Sequence, residues 1–221
     1  MNPVEQALSL LDEHFRAFYA AKPFADATGH PVPCDTKAWS QVLISILTGI
    51  SGRSRKKGSD LDDGSDVKGA NTWSAIDTPR FNGVIPSGRT TTASRKPADV
   101  TALDGIPFIF LVLWDEAGTA RTPRCRVWCV RARHDRQFRR IAAAWYRQRR
   151  ARTIKSDNFQ LHPPRNKDHD VIRNTCGNLM YPLFFSAVLR RDHFELADYQ
   201  PDALGAGECQ IADKDKRVVK P

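Results

Sequence analysis

The chain has 221 residues, 41% of them hydrophobic, with 34 Lys and Arg against 25 Asp and Glu, a formal charge of +9. That length can bury one sizeable core, so a single domain is expected, and the apolar fraction excludes a disordered chain. The longest apolar run, IPFIFLVLW at 106–114, has strand length and falls far short of a membrane span. The acidic start MNPVEQALSLLDEHF does not read as a secretory leader, and five cysteines do not read as a disulfide framework, so a reducing cytoplasm is expected.

In chain order, Val4 to Ala21 has helical spacing, with Leu8, Leu11, Phe15 and Phe18 on one side. Pro23, Gly29, Pro31 and Pro33 are expected to break it. A second helix is expected through Ile50, capped by Asp35 or Thr36, with Trp39, Val42, Leu43, Ile46 and Leu47 buried. These two helices make up an N-terminal part, 1–52. The main core with its loops is expected over 53–200, and a tail that frays over 201–221. Residues 71 to 105 are rich in Thr, Ser, Gly, Pro and Arg and read as a long loop, either functional or disordered.

IPFIFLVLW reads as a buried strand, DEAGTARTP as a turn, and RCRVWCVRAR as an alternating partner strand. Cys125, Val127 and Cys129 fall on one face, with Trp128 and Val130 on the other. Asp135 is placed to cap a helix through about Arg150, with the apolar stripe Phe138, Ile141, Ala142 and Trp145 opposite a row of arginines. NFQLHP suggests a short strand and PPRNKDHD a loop. RNTCGNLMYPLFFSAVLRR reads as a turn followed by a buried helix from about Pro182.

The charge is unevenly placed. From Arg121 to Lys155 there are thirteen basic residues and one acidic residue, Asp135. Such a stripe is the electrostatic footprint of a phosphate-backbone binder, and the partner expected from charge is a nucleic acid. Arg139, Arg140 and Arg147 on the helix are candidates for phosphate contacts. Arg165, Asn166 and Lys167 have the chemistry to touch backbone or base edges. The plain alternative is a solvated face and an exposed loop.

The sharpest local signal is GSDLDDGSDVKGAN at 58–71, four aspartates within seven positions beside the basic run RSRKK. If Asp62, Asp63 and Gly64 form a three-residue hairpin loop, glycine takes the position that needs positive φ. Leu61 then pairs with Ser65, and Asp60, Asp66 and Lys68 point to one face. With a two-residue loop Asp60 would face the other way. Two carboxylates forced together want a cation between them, and Mg²⁺ needs only one or two protein carboxylates plus substrate phosphate. A lysine beside them can orient a water and offset developing negative charge. The alternative is an acidic surface turn.

The stretch SDLDDGSDVKGA resembles the active-site hairpin of the PD-(D/E)XK nuclease superfamily. Together with RNTCGNLMYPLFFSA it is similar to the type II restriction enzymes grouped with MamI. The resemblance implies an α/β (α+β) fold with an αβββαβ core, a mixed central sheet flanked by helices. It implies catalysis by Asp60, Asp66 and Lys68, with Mg²⁺ held by Asp60 and Asp66. It also implies a homodimer that cuts double-stranded DNA in a restriction–modification system beside a cognate DNA methyltransferase. The first motif is Ser-Asp where the superfamily has Pro-Asp, and the gap to Asp66 is short, so Asp60 and Asp63 both stay open as the first acid. Some members add a helix glutamate; here only Glu13 or Glu5 is available. A repair nuclease of the same fold and a non-catalytic DNA-binding protein are the other readings. Cys125 and Cys129 read as core residues, not zinc ligands.

Overall fold

A computed structural model describes residues 2–32, 36–53, 58–73, 78–87, 98–163, 171–180 and 183–205. Helix α1 spans Pro3–Thr28 and α2 Thr36–Thr48. Strand β1 is Asp66–Asn71, β2 Ile109–Ala117 and β3 Thr122–Val130. Helix α3 is Arg136–Arg150. Strands β4, Val171–Asn174, and β5, Gly177–Met180, precede β6, Leu183–Arg190, and β7, His193–Tyr199.

Five strands form one mixed sheet in the order β1-β2-β3-β6-β7, and β4 with β5 makes a separate hairpin. β1 runs parallel to β2, with Asp66 opposite Ile109 and Lys68 opposite Leu111. The other pairings are antiparallel. The order α2–β1–β2–β3–α3–β6 follows the αβββαβ plan, so the fold is mixed α/β and of the restriction-endonuclease-like type. No helix among the described residues is long and apolar enough to cross a membrane.

Strand alternation divides the core into two layers. Phe110, Val112, Trp114, Cys125 and Val127 face α1 and α2, meeting Leu11, Phe18, Leu43 and Leu47. Leu111, Leu113, Trp128 and Val130 face α3, meeting Phe138, Ile141 and Trp145. The two-sided burial explains why β2 reads as one continuous apolar run. Cys125 and Cys129 are core residues, and no metal-binding group of three His, Cys, Asp or Glu occurs among the described residues.

Several expectations change. α1 does not break at Pro23. It runs on to Thr28 and ends on Gly29 at φ +69°, the left-handed cap that glycine favours. α2 turns Ser40, Leu43, Ile44 and Leu47 inward and leaves Val42 exposed. Ser40 sits inward because its Oγ accepts from Trp114 Nε1 at 3.0 Å. Asp135 occupies the α3 N-cap, but its carboxylate turns back to accept from the Arg131 amide at 2.9 Å. The helix expected from Pro182 is instead strand β6, held between β3 and β7. A short run such as LFFSAVL has no period that separates a buried strand from a buried helix.

α2 approaches the sheet closely at Gly69. A Cβ there would lie 2.9 Å from Thr36 O and from Ser40 Oγ, so only glycine lets the helix seat on β1. Gly69→Val should therefore destabilise the protein by about 1–3 kcal/mol in chemical denaturation, the cost of overpacking a seated interface. Wild-type stability in that variant would show that α2 does not bear on β1 at this point.

Candidate active site at the start of strand β1

Residues 51–53, just beyond α2, pair with residues 60–62. The Arg53 amide donates to Asp60 O and the Asp62 amide to Ser51 O, both at 2.9 Å. Leu61 is fully buried and anchors this arm in the α1–α2 core. The chain then reverses over three residues. The Gly64 amide donates to Leu61 O and the Leu61 amide to Ser65 O, both at 3.1 Å. Gly64 sits at φ +97°, and a Cβ on it would also meet Gly105 O at 3.2 Å. The loop is the three-residue form. It differs from a full hairpin in that the arm before the turn forms only an isolated bridge to Gly52, while β1 takes β2 as its strand partner.

This geometry sorts the aspartates. Asp63 accepts from the Ser65 amide and the Ser65 hydroxyl, each at 2.8 Å, so its carboxylate closes the turn. Asp62 lies beside Arg53 at 3.5 Å on the exposed side. Asp60 and Asp66 share a hydrogen bond. Lys68 Nζ lies 2.6 Å from Asp66 Oδ2, and the two side chains are only 23% and 19% exposed. Thus Asp60, Asp66 and Lys68 meet at the head of an edge strand.

The electrostatics follow from burial. Burial pushes the Asp66 carboxyl up to about 6, and the hydrogen bond with Asp60 adds to this, while Lys68 pulls the other way. Burial also works against ionised Asp60. The hydrogen bond from Asp66, the Val67 amide, and the charges of Lys68 and Lys37 outweigh it, so Asp60 is held below the ordinary carboxylate value. Below about pH 6 the pair therefore keeps one proton, on Asp66. A pair of half-buried carboxylates suits a hard cation that completes its shell with water and phosphate, and Asp60 and Asp66 are the residues that could hold one.

Two further side chains come from α2 and carry no signal in the motif. Gln41 Nε2 donates to Asp60 Oδ1 at 2.5 Å, and Lys37 lies one turn earlier. Thr36, Ser40, Ser45 and Thr48 also lie on this helix, so polarity alone does not single out Gln41 and Lys37 in the sequence. The helix glutamates lie elsewhere. Glu5 caps α1 by accepting from the Asn2 amide at 3.0 Å, and Glu13 pairs with Arg16 on an exposed face.

On α3, Arg140 and Arg147 are exposed. Arg139 is half-buried, donating to Asp104 at 2.7 Å and Ala132 O at 3.3 Å. Tyr146 is buried and donates to Pro86 O at 2.7 Å, and Trp145 is core. Arg165, Asn166 and Lys167 lie outside the described residues.

The raised Asp66 carboxyl carries a pH signature. In metal-free protein the folded state favours protonated Asp66. That contribution to stability is full below the unfolded carboxylate value of about 3.9 and is lost as pH rises through about 6. Asp66→Asn should remove this loss, so melting temperature should fall less from pH 5 to pH 7 than in the wild type. Parallel melting profiles for the two proteins would contradict the placing of that proton on Asp66.

Residues 23–192 match the family described as MamI restriction endonuclease. The type II restriction enzyme MamI of Microbacterium ammoniaphilum is 36% identical over 187 residues, covering 79% of this chain and 60% of that protein. This chain thus spans about 60% of the length of the curated relative it matches. No solved structure matches it. The matched residues take in α2, the aspartate turn, β1 to β6 and α3, and the chain belongs to the MamI restriction endonuclease family.

Proposed function

We propose that this protein is a Mg²⁺-dependent, site-specific endonuclease of double-stranded DNA, acting as a homodimer in a restriction–modification system beside a cognate methyltransferase. The observation that carries this reading is the meeting of Asp60, Asp66 and Lys68 on one face at the head of β1. Family membership supports it. Asp60 is the first acid, since the Asp63 carboxylate is taken up by Ser65.

The chemistry is hydrolysis of a phosphodiester. Water attacks phosphorus, the bond to the 3′-oxygen breaks, and that oxygen leaves with a proton while the 5′ side keeps the phosphate. Asp60 and Asp66 would hold Mg²⁺, which when bound activates a water and screens the phosphate charge. Lys68, 2.6 Å from Asp66 Oδ2, orients the attacking water and faces the charge that builds on the phosphate oxygens. Asp60 keeps a fixed carboxylate plane, because Gln41 donates to one oxygen and the Val67 amide to the other at 3.0 Å. A pure phosphate binder has no use for buried carboxylates at its DNA face.

The decisive experiment is incubation with plasmid and phage DNA in Mg²⁺. Discrete fragments support a site-specific enzyme, a smear a nonspecific nuclease, and intact DNA with a gel shift a binding protein. Asp66→Ala should abolish cleavage and leave DNA binding in place, since it removes repulsion and little core volume. A variant that still cuts would end the assignment.

Arg140 and Arg147 are exposed on α3 and are proposed as phosphate contacts, while Arg139 is tied to Asp104. Changing Arg140 or Arg147 to alanine should weaken cognate and random DNA about equally. It should also lower the salt slope by roughly one unit per contact in fluorescence-anisotropy titrations. Residues 165–167 are proposed as base readers, so Arg165→Ala should weaken cognate DNA alone. If the α3 variants change discrimination and leave the salt slope unchanged, the two roles are reversed.

A further inference from the structure

Gln41 touches the site from a helix that contributes no acid. It is half-buried, and its Nε2 lies 2.5 Å from Asp60 Oδ1. The opposite oxygen, Asp60 Oδ2, accepts from the Val67 amide of β1 at 3.0 Å. A carboxylate held by one donor can still rotate about its Cβ–Cγ bond. Held through both oxygens by donors on two different elements, its plane is fixed.

The helix that presents Gln41 is itself tightly placed. Its neighbour Ser40 is fully buried, accepts from Trp114 Nε1 at 3.0 Å and bears on Gly69 of the catalytic strand. The direction of the Gln41 side chain is therefore set by the α2–β1 contact.

The chemistry of the donor matters as much as its position. A lysine or arginine at 41 would also hold Asp60, but it would cancel the negative charge that a cation needs. A neutral amide fixes the carboxylate and leaves that charge in place.

We infer that Gln41 is a positioning residue of the cation site, fixing Asp60 through Oδ1 so that it and Asp66 together can hold a hard divalent cation. This rests on the reading of Asp60 and Asp66 as cation ligands. Residues that orient metal ligands typically contribute ten- to hundredfold to metal affinity.

The test uses the full chain and Mn²⁺ alone, following the free-ion signal by electron paramagnetic resonance, with the melting temperature measured without metal. Gln41→Met keeps the volume and removes the donor. Gln41→Asn keeps the amide but shortens its reach, and serves if the Met variant folds poorly. Each should bind Mn²⁺ about tenfold more weakly than wild type at nearly unchanged melting temperature, and Asp66→Asn should bind it more weakly still. Wild-type Mn²⁺ affinity in both Gln41 variants, with binding lost in Asp66→Asn, would overturn the role of Gln41 and leave the acids as ligands. Wild-type affinity in Asp66→Asn would overturn the ligand assignment, and the role of Gln41 with it.

Discussion

Two carboxylates repel, and the region around β1 is arranged to hold Asp60 against Asp66 in spite of that. The arm bearing Asp60 is tied by backbone hydrogen bonds to residues 51–53 and anchored by buried Leu61. The start of β1 is tied to β2 where the Asp66 amide donates to Phe108 O at 3.0 Å. Between the two arms stands a turn whose third residue needs positive φ, and Gly64 supplies it. The repulsion is eased by Lys68 and by Gln41, and below about pH 6 by a proton on Asp66. None of these contacts would be needed at a solvated acidic turn, where charges separate freely and water screens them.

The support extends beyond the turn. Gly105 O lies where a Gly64 side chain would go, and Pro107 packs beside it. The neighbouring Asp104 is held at its carbonyl by Arg133 and at its carboxylate by Arg139, both at 2.7 Å. A continuous set of contacts therefore runs from the start of α3, through residues 104–107, to the turn that carries the acids. At the other end of β2, Asp115 is fully buried and accepts from Arg124 and Arg126, the latter at 2.6 Å. Stripping one partner from such a buried group is costly, about 3–5 kcal/mol, so this cluster pins the β2–β3 pairing while the opposite end carries the acids.

Where period and turn chemistry were strong, the sequence was readable. β2, β3 and α3 follow from alternation and from an apolar stripe, and the turn at 61–65 follows from the one glycine placed for positive φ. The reading failed where a signal depends on tertiary context. β6 is a short apolar run with no decisive period, and it becomes a strand because β3 and β7 flank it. Gln41 is neutral, and nothing in its own neighbourhood marks it; only the folded contact to Asp60 does. The arginine stripe is also partly internal to the fold, for a third reason. Arg124, Arg126, Arg131, Arg139 and Arg149 pair with Asp115, Asp135, Asp104 and Asp157, three of which lie outside the 121–155 window. A local charge count sees the cations and misses partners that arrive from elsewhere in the chain.

The position of β1 completes the physical case. A DNA duplex is a thick rod, and its phosphates cannot enter a narrow cleft between packed helices. The acids would be useless in the middle of the sheet, where both neighbours are strands and both faces are covered. β1 instead ends the sheet order, with β2 on one side and no strand on the other among the described residues. Asp66 and Lys68 keep 19% and 23% of their side-chain surface open. That is buried enough to raise a carboxyl to about 6 and strengthen every charge interaction at the site, yet open enough for a phosphate to reach it. An edge strand is ordinarily a liability, prone to pairing with another chain. Here the turn before it, the α2 helix seated at Gly69, and the charged pair at its head set that edge apart from an open one.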